Sequence, residues 1–406
     1  MTNQPARVIS GASIVAVGMM IMNVTLYAFT IVAARMLQPR EFGAFTALLG
    51  VILIGNVIAL GLQAVVARRL ATAAGNQYPF IKQARKNALR FAIGISAIVG
   101  TSSLFLTPYL RLDSYLPVIL AALALVPLTV MGVQMGIAQG EHKWTSLAII
   151  YLANGFGRFT GGLIALLISP TAISAMVGIA IGNWIPVLLG SRLFKTEHHT
   201  EYEPPPMFRE VIVGSNVLFA YFALTSVDSL IARNQFPADD AGLYAAGLIL
   251  TKAALFFPQF VTVVAFPNMA REETGATKKK AVLLVAAFGV VITLGTWLLP
   301  QLALALVGGS AYSEVADQLW LFALSGSSLA VLHLLVFDTL ARHASGIPKI
   351  LWAGLVALIV GALVLNVHLV GLVTLVITIA LGLSVILYFA SQKSVRGVEP
   401  VGTDTD

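Results

Sequence analysis

Apolar positions along this chain gather into long, nearly unbroken runs, with polar residues confined to the gaps between them. Twelve such runs lie near 10–36, 42–70, 88–108, 115–139, 145–168, 171–193, 210–233, 241–269, 281–306, 315–340, 348–369 and 371–391. A run of about 18 or more apolar residues is long enough to cross a bilayer as a helix. A membrane strand would instead alternate apolar and polar positions over about ten residues. The pattern therefore predicts an all-α polytopic membrane protein with about twelve transmembrane helices.

The polar punctuation repeats. Ala34-Arg35-Met36-Leu37-Gln38-Pro39-Arg40-Glu41-Phe42-Gly43-Ala44-Phe45 ends one run and opens the next. Ala232-Arg233-Asn234-Gln235-Phe236-Pro237-Ala238-Asp239-Asp240-Ala241-Gly242-Leu243-Tyr244 does the same, 198 to 199 positions later in a chain of 406 residues. In both, Ala-Arg is followed by Pro four residues after the Arg, then acid, then Gly, then an aromatic. The likeness continues where Ala67-Arg68-Arg69-Leu70-Ala71 and Phe266-Pro267-Asn268-Met269-Ala270 close the second and eighth runs, and where Pro108 and Pro300 end the third and ninth. A period near half the chain length predicts two homologous halves. They are an N-terminal six-helix bundle over 1–195 and a C-terminal six-helix bundle over 209–391. Between them lies a cytoplasmic linker over 196–208, carrying His198, His199 and Pro204-Pro205-Pro206, and a disordered cytoplasmic tail follows over 392–406. Six spans per half is an even number, so the halves are parallel repeats of one orientation, as in many secondary transporters.

Composition sharpens this picture. Hydrophobic residues make up 58% of the chain and charged residues 11%, against about 25% charged in a soluble domain. Of the 25 Lys and Arg, only Arg35, Arg40, Arg111 and Arg233 fall at one set of span ends, and only Arg158 and Lys252 inside spans; the rest crowd the other ends. By the positive-inside rule the crowded ends, with both termini, are cytoplasmic. The net charge of +7 is thus mostly a topology signal and not a nucleic-acid footprint. The N-terminus shows no cleavable signal pattern, and the first run is long enough to remain as a span. Without cysteine, disulfides and thiolate metal sites are excluded.

An ionisable side chain at mid-membrane is costly and generally faces a bundle interior or a wet cavity. Arg158 in the fifth span and Lys252 in the eighth, one in each half, both fall near the midplane. A cationic cavity between the halves would suit a pyrophosphate-linked sugar carrier, since Arg forks onto phosphate oxygens and Lys supplies a point charge. The alternative for each is pairing with helix carbonyls or a buried acid that fixes packing. Tyr151, Asn154 and Arg158 share one helix face, as do Asn56 and Gln63, and Lys252 and Gln259. These residues are the substrate-binding candidates, with ordinary interhelical hydrogen bonding as the alternative for each amide. Asp228, on a face with Tyr221 and Thr225, is the candidate for ion coupling, because low dielectric raises a lone acid's proton affinity. Its alternative is a structural pair with Arg233 or Lys252. Asp338 and His333 form a weaker candidate relay. Gly157, Gly161, Gly178 and Gly182 permit close helix contact. There is no phosphate-cradling Gly-rich loop with Lys-Ser/Thr and no His-Glu metal motif, so neither a cofactor nor enzyme chemistry is expected.

Ala34 to Phe45, followed by Leu60-Gly61-Leu62-Gln63 and Ala67 to Ala71, resembles the N-terminal signature of bacterial polysaccharide transporters. Val227-Asp228, Ala241-Gly242-Leu243-Tyr244 and Phe266-Pro267 resemble the seventh and eighth helices of that family, and Gly308-Gly309-Ser310-Ala311-Tyr312 the start of its tenth. The family is the O-antigen flippase branch of the multidrug/oligosaccharidyl-lipid/polysaccharide flippase superfamily. The resemblance implies a V-shaped, two-bundle transporter in the bacterial inner membrane. Its cargo would be lipid-linked oligosaccharide and its partners glycosyltransferases or a polymerase of the same pathway. The lipid II flippase branch usually has fourteen spans and a long charged loop after the fourth; here there are twelve spans and only Glu141-His142-Lys143, which disfavours a peptidoglycan precursor. The alternative is a cation-coupled small-molecule (drug) exporter of the same superfamily.

Overall fold

A computed structural model describes residues 4–72, 78–193, 207–269, 276–341 and 346–396. Every one of the twelve expected stretches is helical. In chain order the helices are α1 (Gln4–Met36), α2 (Pro39–Gly55), α3 (Val57–Thr72), α4 (Tyr78–Thr101), α5 (Ser103–Tyr109) and α6 (Leu116–Gly140). Next come α7 (Trp144–Ile168), α8 (Ala172–Gly182), α9 (Trp184–Leu193), α10 (Phe208–Leu224), α11 (Val227–Gln235) and α12 (Ala238–Met269). The last are α13 (Ala276–Leu298), α14 (Pro300–Val307), a 3-10 segment (Ser310–Gln318), α15 (Leu319–Ala341), α16 (Ile347–Val364) and α17 (Leu369–Arg396). Among the described residues, ten helices or helix pairs are long and apolar enough to cross a membrane, or eleven counting the bent pair α4–α5. The remaining expected span, near 241–269, is α12. The last helix continues to Arg396, past the expected start of a disordered tail at 392; residues 397–406 and most of the expected linker lie outside the described residues.

Several spans are two helices in series. Asn56 separates α2 from α3, Asn183 separates α8 from α9, and Thr225-Ser226 separates α10 from α11. The pair α4–α5 bends by 48°. At that bend Thr101 Oγ1 donates to the Ala97 carbonyl at 2.8 Å and Ser102 Oγ to that of Val99 at 2.8 Å. Such hydroxyl back-bonding competes with the helix ladder and bends it.

The chain divides into two compact units of packing: Met1–Ala246 with Gly308–Tyr312, and Gly247–Val307 with Ser313–Asp406. In the first, α1 lies on α7, α3 and α4 lie on α6, and α7 lies on α8. Backbone approach at α7–α8 is close because the expected small-residue positions meet each other. A Cβ on Gly157 would come within 2.6 Å of the Gly182 carbonyl oxygen, and one on Gly161 would strike that of Gly178. The two copies of the repeated motif also pack on one another. A Cβ on Gly43 would sit 3.0 Å from the Gly242 nitrogen, and one on Gly242 would strike the Pro39 carbonyl. This contact docks α2 against the start of α12 and the end of α11. Further along the same seam Gly50 faces Ser229 and Leu230, and Gly61 faces Ser215 of α10. At the end that carries the basic clusters, Arg69 Nε and Nη2 donate to Glu210 Oε2 at 2.9 and 2.6 Å, and Arg68 also pairs with Glu210. In the second unit α13, α15 and α17 pack together, and Thr251 of α12 donates to the Phe322 carbonyl at 2.9 Å.

Candidate functional site

The interior of the first unit collects the polar side chains singled out from sequence. Arg158 lies about 21 Å along α7 from Trp144 and about 15 Å from Ile168, at 1.5 Å per residue. One side of its helix turn meets α1, where Gly155 touches Met22 and Gly162 touches Phe29; the other meets α8 through Gly157 and Gly161. Arg158 projects between those two contact faces. Its Nε is buried and has no hydrogen-bond partner among the described residues. One turn earlier Asn154 is buried; its Nδ2 reaches only the Met22 sulfur at 3.4 Å, and its Oδ1 has no partner among the described residues. Tyr151 lies close to Gln63 of α3, and Gln63 Nε2 donates to Gln139 Oε1 of α6 at 3.2 Å. The expected faces of the second and fifth spans therefore meet through Tyr151 and Gln63. Asn56 stands at the α2–α3 junction with a buried Oδ1 that has no partner among the described residues.

Sequence reasoning missed further members of this set, Thr46 and Asn183 among them. Thr46 Oγ1 and both side-chain heteroatoms of Asn183 are likewise buried with no hydrogen-bond partner among the described residues. A buried polar atom without a partner costs about 1–3 kcal/mol, and each instance calls for a reason. Here the atoms belong to α2, the α2–α3 and α8–α9 junctions, and α7, all within one bundle. The signal that could have found Asn183 is its place between two short apolar helices of one span.

Lys252 belongs to the second unit, half-buried on α12, whereas Arg158 belongs to the first. The Gln259 side chain lies outside the described residues.

Asp228 is 3% exposed. Its Oδ2 accepts from the Tyr244 hydroxyl at 2.9 Å and its Oδ1 from the Ser229 backbone N–H at 2.8 Å. Arg233, its expected alternative partner, is engaged elsewhere. Arg233 Nε donates to the Leu110 carbonyl at 3.0 Å, Nη1 to that of Arg40 at 3.3 Å and Nη2 to that of Arg111 at 3.4 Å. The reason is helical phase: five residues is about 140° around a helix, so Asp228 and Arg233 leave on different sides. Asn234 Nδ2 adds a bond to the Tyr109 carbonyl at 2.7 Å, and Arg111 Nη1 one to that of Phe236 at 3.2 Å. Together they clamp the α5–α6 connection to the end of α11.

The repeat gives Asp228 a comparison. Asp228 and Tyr244 are 16 positions apart. In the first copy, Ala34-Arg35 aligns with Ala232-Arg233 and puts Thr30 where the second copy has Asp228; Thr30 Oγ1 donates to the Leu26 carbonyl at 3.0 Å. Phe45 follows Gly43 as Tyr244 follows Gly242. Tyr244 stands where the first copy has Phe45, so the phenol that meets the carboxylate belongs to the second copy alone.

In the second unit Asp338 faces Lys278 of α13, with Nζ to Oδ2 at 3.8 Å and both side chains buried. Lys278 Nζ also donates to the Tyr388 carbonyl at 3.1 Å and lies 4.3 Å from the centre of that ring. Lys278 lies three residues before the expected ninth run, beside Lys279 and Lys280. His333, the expected relay partner of Asp338, packs on Phe337 with ring centres 4.6 Å apart.

No family model matches the sequence, and no curated protein matches it. Solved structures do. The inward-facing conformation of a multidrug resistance MATE family transporter of the MOP superfamily superposes with a TM-score of 0.71 at 10% identity, covering 92% of this chain and 94% of that one. The lipid II flippase MurJ in an inward closed conformation gives 0.69 at 11% identity, covering 94% and 89%. The MATE multidrug transporter DinF-BH gives 0.66 at 13% identity, covering 97% of each chain. These likenesses extend over whole chains and concern the fold. Taken with the long apolar helices, they make this chain an all-helical, multi-pass membrane protein with the two-repeat fold of MOP superfamily transporters.

Proposed function

We propose that this protein is a flippase that moves a lipid-linked (polyprenyl-pyrophosphate) oligosaccharide across the cytoplasmic membrane for cell-surface polysaccharide synthesis. The observation that carries the reading is Arg158, a mid-span cation inside the first bundle whose Nε has no hydrogen-bond partner among the described residues. A cation there is costly unless something anionic visits it. A pyrophosphate presents oxygens to which a guanidinium fork is matched. Asn154, Asn56 and Gln63 would supply neutral donors and acceptors for sugar hydroxyls, while the lipid tail stays in the bilayer. Lys252 would serve as a second cationic contact, Gln259 as a further polar one. The protein would sit in a bacterial inner membrane with both termini cytoplasmic, working beside the glycosyltransferases or polymerase that make and use its cargo. Movement would follow alternating access, as in other repeat-built transporters.

The second reading is a cation-coupled small-molecule exporter, and Asp228 favours it. A buried carboxylate inside a span is a candidate cation-binding group in either reading. The transport test uses purified protein in liposomes that hold a fluorescent lipid-linked oligosaccharide. Appearance of the sugar head on the far leaflet, lost in Arg158→Ala, supports the flippase. Efflux of a small organic cation without headgroup movement would replace it with the exporter.

A further inference from the structure

The start of α4 carries a row of cations that no acid among the described residues answers. Its inner face, Ile81, Ala84, Ala88 and Ala92, is buried in the first unit, where α4 lies on α6. Its outer face carries Lys82, Lys86 and Arg90, all exposed and spaced four apart, so the three cations form one stripe along the helix. The stripe runs directly into an apolar one: Leu89 is 52% exposed, Ile93 58%, and Gly94 has open space beside it.

The depth of the stripe follows from helix geometry. From Arg90 to Tyr109 the chain rises about 28 Å along the axes of α4 and α5, close to the roughly 30 Å thickness of the hydrocarbon. With the apolar part spanning that layer, Arg90 meets its edge. Lys86 and Lys82 then stand about 6 and 12 Å further out, among lipid headgroups.

Several neighbouring cations are already paired. Arg68 and Arg69 share Glu210, Lys143 pairs with Glu141 at 2.9 Å, and Arg85 lies in the field of Glu141. Among the described residues, Lys82, Lys86 and Arg90 take part in no ion pair or hydrogen bond, and α4 itself contains no acid. That leaves three unanswered cations aligned on the exposed face of α4. The positive-inside rule accounts for cations at this end in general, but not for three of them aligned on one exposed helix face.

We propose that Lys82, Lys86 and Arg90 form a docking site for the headgroup of an anionic glycerophospholipid in the adjoining leaflet. The acyl chains would lie along Leu89, Ile93 and the open side of Gly94. The phosphate would meet the ammonium and guanidinium groups in a region where each such cation near an anionic surface strengthens binding about five-fold. This site is independent of the cargo reading and lies on the lipid-facing side of the first unit.

The test is native mass spectrometry of the full chain in detergent, titrated with phosphatidylglycerol or with phosphatidylcholine. Wild type should retain phosphatidylglycerol and release phosphatidylcholine. The triple variant Lys82→Gln/Lys86→Gln/Arg90→Gln should bind phosphatidylglycerol about a hundred-fold more weakly, three factors of about five. Lys82→Arg/Lys86→Arg, which keeps the charge, should bind as wild type does, separating loss of the site from loss of the fold. Lys279→Gln/Lys280→Gln removes two other exposed lysines and should leave binding within about two-fold. Undiminished binding by the triple variant overturns the proposal. So does an equal loss in the α13 variant, or equal retention of the two lipids by wild type.

Discussion

Arg158→Met removes the mid-span charge of α7 and keeps most of the side chain's volume. The native guanidinium stands too far from either helix end for its side chain to reach the interface, about 15 Å at the nearer one. Its Nε has no hydrogen-bond partner among the described residues. A buried donor left in that condition costs about 1–3 kcal/mol, and more when charged. Replacing it with a neutral thioether should return an amount of that order. The variant is therefore expected to be more stable than wild type while losing transport, the trade that functional groups impose on a fold. Arg158→Lys, which keeps the charge but not the fork, should retain part of the transport and none of the stability gain. The assay pairs the thermal unfolding midpoint of each purified variant with headgroup movement in liposomes. A large drop in stability for Arg158→Met, near the 3–5 kcal/mol of a broken buried ion pair, would refute the reasoning. Arg158 would then be holding the bundle together rather than waiting for an anion.

Other outcomes follow from the same structure. Tyr244→Phe deletes one donor to the buried Asp228 carboxylate and should cost about 1.5–3 kcal/mol. In a double-mutant cycle with Asp228→Asn, two non-additive unfolding free energies are expected; additive ones would deny the pair. Gly242→Ala forces a Cβ against the Pro39 carbonyl and should destabilise by at least the 1–3 kcal/mol of an overpacked site, clearly more than Gly43→Ala, whose nearest contact is 3.0 Å. Unfolding midpoints of the two would check that order. Lys278→Met removes the cation that faces the buried Asp338 carboxylate and should cost about 3–5 kcal/mol, while Lys278→Met/Asp338→Leu should lie closer to wild type than either single change. Comparing the three unfolding curves tests it.

The repeat, the number of spans and the mid-span position of Arg158 were legible because they depend on periodicity and length alone. A helix of known rise crossing a layer of known thickness places any residue along the membrane normal. Sharing a helix face follows from spacing in the same way, which is why Tyr151, Asn154 and Arg158 could be grouped. Partners across helices were a different matter. Tyr244 was visible as part of the motif, yet its bond to Asp228 spans the turn at Pro237, and no rule of local spacing connects positions 16 apart. Arg233 looked like a partner for Asp228 and instead holds three backbone carbonyls from two other segments.

Lys278 shows the boundary most plainly. It stands in a run with Lys279 and Lys280, and composition treats the three alike. The fold does not, because each step along a helix turns about 100°: Lys278 points inward to Asp338 and Tyr388, and its two neighbours point out. By itself, then, the sequence determined how many helices cross the membrane, that they come in two related sets, and which side chains travel together on each face. Which faces meet was decided by tertiary contact. Glycines such as Gly43 and Gly242, or Gly157 and Gly182, allow two backbones to approach, and only that approach tells a buried polar side chain what it touches.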